Sequence, residues 1–277
     1  MSPHGVGRGF WAYFVVGAFV LLTLMPLYAM VSVALMPSAG LSANLYRLWP
    51  STVSVGNFAS VWHALPLLTY LRNSLVIASA ATAVCLCAGV PAAYALSKGS
   101  LPGRRAMLLF LLATQMLPPT ILAVASYHTL AVLHGTDTYW GLVVLDSGFY
   151  GLPFTTWVTA GYMRQIPPEV EEAAALDGCP RWRRVAEIVL PMSLPAIVVG
   201  AVFAFIAAWN DFVFALTLAT STGVMPLTVG IYDFISPYKA QWNYLMAAAL
   251  VATVPIVVFF LVLQRRLVAG FTAGAVR

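Results

Sequence analysis

Glu172–Pro191 reads EAAALDGCPRWRRVAEIVLP, a polar and charged island between two long apolar segments. The island begins at Arg164, and its punctuation is that of two short helices. Pro167 and Pro168 suit a helix start, where a missing N–H costs nothing, and Glu169, Glu171 and Glu172 crowd the first turn, where the helix dipole favours negative charge. Gly178 supplies a left-handed stop. Pro180 then opens a second short helix bearing Arg181, Arg183 and Arg184, before Leu190 and Pro191 return the chain to apolar sequence. The product is a bent helical finger, small and smooth at Ala173, Ala174 and Ala175, where another protein could approach the backbone. Residues 164–191 thus read as a docking loop between two membrane spans. On periodicity alone, an amphipathic loop resting its arginines on lipid headgroups accounts for the segment equally well.

The sequence on either side of the finger is apolar enough to be membrane. Of 277 residues 61% are hydrophobic and 8% charged, with mean hydropathy +0.88, more than any single water-soluble core requires. A span needs about 20 mostly apolar residues, and six segments qualify: 10–36, 71–96, 106–133, 141–163, 193–219 and 244–267. The predicted fold is therefore an all-α polytopic membrane protein, a single transmembrane domain over 1–277. The first apolar run is longer than the 7–15 residues typical of a secretory leader, so it reads as an uncleaved helix. With both termini in the cytoplasm, 11 of the 14 Lys and Arg lie inside, and Arg47, Arg72 and Lys239 lie outside. That orientation puts the finger in the cytoplasm, and the pI near 9.2 needs no nucleic-acid partner.

The chain carries no recognisable motor. A phosphate-binding loop ends in Gly-Lys-Ser/Thr, whereas Lys98 and Lys239 follow Ser97 and Tyr238. The four histidines are scattered and no metalloprotease or nucleophile-elbow pattern occurs, which argues against an enzyme; an intramembrane catalyst built from isolated polar residues is the remaining enzymatic alternative. Cys85 and Cys87 sit two apart in a helix and point to different faces, suiting neither a disulfide nor a metal site. Ionisable residues within spans mark functional paths, and of the acidic residues only Asp146 and Asp211 lie within the spans, with no basic residue evident at their depth. Driving force is then expected from another subunit. Pro118 and Pro119, after Gln115, kink the third span, either to line a cavity or to let helices pack. Trp209-Asn210-Asp211 in the fifth span reads as a path or gate, or as a polar contact with a neighbouring helix. Gln115, Asp146, Tyr150, Trp209, Asn210 and Asp211 are the candidate path residues.

A resemblance sharpens this reading. Glu172-Ala173-Ala174, three residues, Gly178, nine residues, then Ile188-Val189-Leu190-Pro191 resembles the EAA signature loop of the membrane subunits of binding-protein-dependent ABC importers. Asp177 beside Gly178 is typical of the sugar-importing branch. Asn73-Ser74-Leu75 and Pro91–Leu96 before Gly103-Arg104 are similar to the second-helix pattern of carbohydrate permeases, although Asn73 also suits a helix cap. Trp209-Asn210-Asp211-Phe212 is another habitual string of that branch, and Gly270–Arg277 is similar to the tail of the maltose-type permease.

The resemblance implies a type I importer permease in a bacterial plasma or inner membrane. It makes 164–191 the coupling loop, with Glu172, Ala173, Ala174, Asp177, Gly178, Leu190 and Pro191 engaging an ATPase cleft. The tail, 268–277, would reach into the ATPase dimer through Thr272, Ala273 and Gly274. Implied partners are a second permease, usually a different chain, an ATPase dimer holding ATP and Mg, membrane lipid, and an extracytoplasmic solute-binding protein. That protein would meet the outer segments Pro37–Pro66 and Ile231–Trp242, whose tryptophans an aromatic belt explains equally well. No cofactor is expected in this chain. The cargo implied is a sugar passed by alternating access; importers of glycerol phosphate look alike at this level. A channel or ion-coupled carrier would instead transport alone and depend on Asp146 or Asp211, and a scaffold subunit would bind partners without affecting uptake. The finger favours the importer over both.

Overall fold

The computed structural model describes the backbone of residues 4–38, 49, 50, 52–99, 101–235 and 240–275, and side chains between 11 and 262 within that set, residue 12 excepted. Among the described residues all regular structure is helical, apart from one isolated bridge between Ile235 and Ala240. The chain divides into two compact units, Met1–Pro66 with Ile231–Val254, and Leu67–Gly230 with Pro255–Arg277.

The first unit contains α1 (His4–Ala34) and α2 (Gly56–Ala64). Tyr13–Ala34 is apolar on every side, with Phe14, Phe19 and Leu22 exposed, as a helix solvated by lipid would be. Its last carbonyls have no helical partner. Asn57 supplies one, donating through Nδ2 to Ala34 O (2.7 Å) and Met36 O (2.8 Å), while Asn243 Nδ2 donates to Asn57 Oδ1 at 3.3 Å.

The second unit is built on α3 (Leu67–Lys98), 32 residues and so about 48 Å long at 1.5 Å per residue. Then follow α4 (Arg104–Thr114), α5 (Pro119–Val132), α6 (Tyr139–Leu145), a π-helical turn (Asp146–Gly151) and α7 (Leu152–Met163). Small residues let α3, α7 and α10 (Leu194–Trp209) approach closely. A Cβ on Gly89 would stand 3.1 Å from Thr156 Oγ1, and one on Gly200 would stand 2.8 Å from Thr155 Cγ2. Thr155 Oγ1 uses the approach to donate to Gly200 O at 3.3 Å.

Three of the expected spans depart from continuous helices. The segment 106–133 is broken, α4 and α5 meeting at 97°, because Pro118 is extended (ψ 126°) and two consecutive N–H groups are missing. The segment 141–163 bulges through the π turn. The segment 193–219 follows a 74° bend between Arg181–Met192 and Leu194–Trp209, stops at Trp209, and resumes as α11 (Val213–Leu218). Among the described residues, Tyr13–Ala34, Leu67–Lys98 and Trp242–Val262 are each long and apolar enough to cross a membrane alone, and counting each bent pair as one span gives up to five. The last helix, α12 (Trp242–Ala275), runs through the expected tail. The backbone at Thr272, Ala273 and Gly274 is therefore helical, while their side chains and residues 276–277 lie outside the described residues.

Candidate functional site

The finger forms as its sequence dictates. Pro167 precedes α8 (Pro168–Leu176), with Glu169 and Glu171 in its first turn. The helix ends in a Schellman motif: Cys179 N–H donates to Ala174 O (3.0 Å) and Gly178 N–H to Ala175 O (3.1 Å). Gly178 has φ +78°, and nothing lies within 4 Å of where its Cβ would stand, so conformation rather than space requires glycine. Pro180 then caps α9 (Arg181–Arg184), and a second π turn, Val185–Val189, leads to Leu190–Met192.

The finger is bare at its tip and fastened at its base. Leu176 is 90% exposed and Trp182 66%, and Glu172, Ala173, Asp177 and Gly178 are also exposed; Ala174 and Leu190 are half-buried, and Pro191 is exposed. Two large apolar side chains thus stand uncovered on a charged loop. At the base, Glu171 accepts from Tyr94 OH through Oε2 (3.1 Å) and pairs through Oε1 with Lys98 Nζ (3.2 Å). Lys98 also donates to Ile166 O (2.7 Å), Arg184 Nη1 donates to Glu171 O (3.3 Å), and the Arg181 guanidinium lies 5.9 Å from the Tyr94 ring centre. Sequence reading gave Glu171 no role beyond the helix dipole. Its available signal was Lys98, one of only two lysines, placed where α3 ends.

Four of the six candidate path residues come together. Gln115 Nε2 donates to Tyr150 O (3.0 Å), and Tyr150 OH donates to Asp211 Oδ1 (3.3 Å). Asp211 also accepts from the N–H groups of Phe214 (3.3 Å) and Ala215 (2.9 Å), so the buried carboxylate caps α11 and explains the break after Trp209. Asp146, 2% exposed in the π turn, lies within electrostatic reach of Asp211, and its Oδ1 has no hydrogen-bond partner among the described residues. Trp209 and Asn210 stand apart from this group. Trp209 is buried in a stack on Phe205 (5.8 Å), which in turn stacks on Phe259 (4.1 Å), and Asn210 Nδ2 donates to Ile206 O in its own helix (2.8 Å).

The opposite end of α3 carries a second polar network. Asn73 lies within the helix and is fully buried, so it does not cap it; its Nδ2 donates to Thr222 O (3.3 Å) and Met225 O (2.9 Å). Ser74 Oγ accepts from Leu227 N–H (2.8 Å), and Tyr139 OH donates to Asn73 Oδ1 (2.6 Å). Asp137 Oδ1 accepts from the N–H groups of Thr220 and Ser221, both at 2.9 Å. Partial burial pushes the Asp137 carboxyl up, but these hydrogen bonds outweigh it and hold it below the usual carboxylate value.

Residues 86–272 match the model of the family described as "Binding-protein-dependent transport system inner membrane component". The chain is 31% identical over 256 residues to the trehalose transport system permease protein SugB of Mycobacterium tuberculosis, covering 92% of each. It is 37% identical over 212 residues to the maltodextrin transport system permease protein MdxG of Bacillus subtilis, covering 76% of each. In fold it is similar to a chain from the crystal structure of a bacterial ABC transporter involved in the import of the acidic polysaccharide alginate. The TM-score is 0.78 at 20% identity, covering 96% of this chain and 98% of that one. Matched by the family's model over most of its length, this chain belongs to the inner-membrane components of binding-protein-dependent transport systems.

Proposed function

We propose that this chain is the membrane-spanning permease subunit of an ATP-driven importer, passing a sugar or sugar-like solute from an extracytoplasmic binding protein to the cytoplasm by alternating access. The observation that carries the reading is the finger, rigidly closed at Gly178, fastened at Glu171, and presenting Leu176 and Trp182 uncovered. ATP and Mg bind to two partner ATPase subunits, whose approach carries the Glu172–Gly178 surface with it and turns this permease and a second one outward. Hydrolysis resets the pair. Leu190 and Pro191 lie at the finger's root, and Thr272, Ala273 and Gly274 reach the ATPase dimer. The chain passes the membrane six times with both termini in the cytoplasm, as the distribution of Lys and Arg favours. Gln115, Asp146, Tyr150 and Asp211 border the path, where carboxylate, phenol and amide groups suit a hydroxylated cargo. Relatives whose names specify trehalose and maltodextrin support a sugar.

The test is ATPase activity in lipid of this chain assembled with its partners, with and without loaded binding protein. Stimulation by the binding protein is expected, and Gly178→Asp is expected to abolish it while the subunits remain associated. If no ATPase co-purifies, or the variant is stimulated like the parent, the finger is a surface loop and the reading fails.

A further inference from the structure

The covalent routes out of the finger are bent. Before α8 the chain turns through Gln165–Pro167; after it come the left-handed Gly178, Pro180 and the 74° bend before Leu194. A push on the tip reaching the bundle only through these joints would be absorbed by them. The cross-tie at Glu171 bypasses both. Lys98 and Tyr94 hold its two carboxylate oxygens, and Lys98 also pins Ile166 O in the entering turn. The Lys98 and Glu171 side chains are only 14% and 13% exposed, so water and salt screen the pair less than they would a surface bridge.

Lys98 and Tyr94 both belong to α3, and the same helix is fastened at its far end. Asn73 and Ser74 hold the Thr222–Leu227 segment by three hydrogen bonds. From Asn73 to Lys98 the chain stays helical for about 38 Å at 1.5 Å per residue, passing through Pro91, which leaves out one backbone hydrogen bond of the ladder. Resting on the importer reading, we propose that Lys98 and Tyr94 are positioning residues that lock the finger to α3 through Glu171, making α3 the rod that delivers finger movement to the Thr220–Leu227 loop at its other end.

The experiment uses the assembled importer in proteoliposomes and reads solute imported per ATP hydrolysed, together with the ATP-dependent change in hydrogen exchange of residues 220–227. Lys98→Glu and Glu171→Lys are each expected to lower solute per ATP at least about fivefold, the low end of ordinary coupling between sites, and to abolish the exchange response. The combined Lys98→Glu/Glu171→Lys exchange is expected to recover at least half of both. Tyr94→Phe, which removes one hydroxyl and no charge, guards against failed folding and is expected to lower the same ratio by about half. A purely structural role would reduce the yield of complex and leave solute per ATP unchanged, which overturns the proposal, as does a double variant no better than the singles. Gly178→Asp in the same preparations separates the two readings. If it abolishes stimulation while the Lys98 and Glu171 variants stay coupled, the importer reading stands and the rod fails; if no ATPase joins the parent complex, both fail.

Discussion

Replacing Gly178 tests how the finger's tip is held. The residue has φ +78° and open space around its Cβ, so Gly178→Ala brings no clash and costs only the left-handed backbone strain of an ordinary residue, about 1–2 kcal/mol. Asn tolerates that region better, because its short polar side chain bonds locally, and Gly178→Asn is expected to cost roughly half as much. The strain falls on two hydrogen bonds, Cys179 N–H to Ala174 O and Gly178 N–H to Ala175 O, and on nothing in the helical core. Since 1.4 kcal/mol is tenfold in an equilibrium, the Cys179 amide should exchange about 5–30-fold faster in the Ala variant and about threefold faster in the Asn variant. Hydrogen exchange read by mass spectrometry on a peptide spanning the finger measures this directly. The melting temperature should stay unchanged, because the opening is local. Equal exchange in parent and Ala variant, or an Asn variant worse than Ala, would refute the strain argument. Binding-protein-stimulated ATPase is expected to fall in the same order, Gly, Asn, Ala.

Asp211→Ala leaves the Phe214 and Ala215 N–H groups buried without their acceptor, at about 2–3 kcal/mol, and a thermal melt in lipid or detergent should fall by roughly 5–10 °C; Asp211→Asn, which keeps one acceptor oxygen, should fall by less than half of that. The Asp137 carboxyl lies below its usual value in the folded protein, so its contribution is fully present above the unfolded carboxylate pKa of about 3.9 and is lost as pH falls through the lower folded value. Protection of the Thr220 and Ser221 amides, corrected for intrinsic exchange, should therefore drop on acidification, and Asp137→Asn should remove that pH dependence. Gly151→Ala drives a methyl onto Cys85 Sγ and to 3.0 Å from Ala204 Cβ, an overpacking of about 1–3 kcal/mol. Adding Cys85→Ala should restore most of the lost melting temperature, and additive effects would show that the two residues do not share the contact.

Local signals were the legible ones. The start of α8, its left-handed stop and the opening of α9 are set by residues within a few positions of one another, and Pro167, Pro168, Gly178 and Pro180 announce them. Pro118 and Pro119 announced a kink, but its size, 97°, depends on what packs on either side. The break at Asp211 was hidden by apolar residues that continue past it; a carboxylate three and four residues ahead of the N–H groups it caps was the signal that could have revealed it. The alternative of Asn73 as a cap fails because its partners, Thr222 and Met225, lie far along the chain, where local sequence gives no sign of them. The same holds for Glu171, 77 positions from Tyr94: ionic and polar pairs across such distances carry no periodicity. Asp146, Asn210 and Asp211 stand out in the sequence as polar exceptions in apolar segments, but no spacing shows that Asn210 bonds within its own helix and that Trp209 stacks on Phe205.

The π turn at Asp146–Gly151 changes what the middle of a helical segment tolerates in the way of insertions and deletions. In an α-helix, removing one residue rotates everything beyond it by about 100° and turns its buried face outward. A π turn already holds one residue more than the α ladder needs. Deleting one there returns the helix to α geometry while leaving α6 and α7 facing as before. The cost is the loss of the buried place at which Asp146 is held.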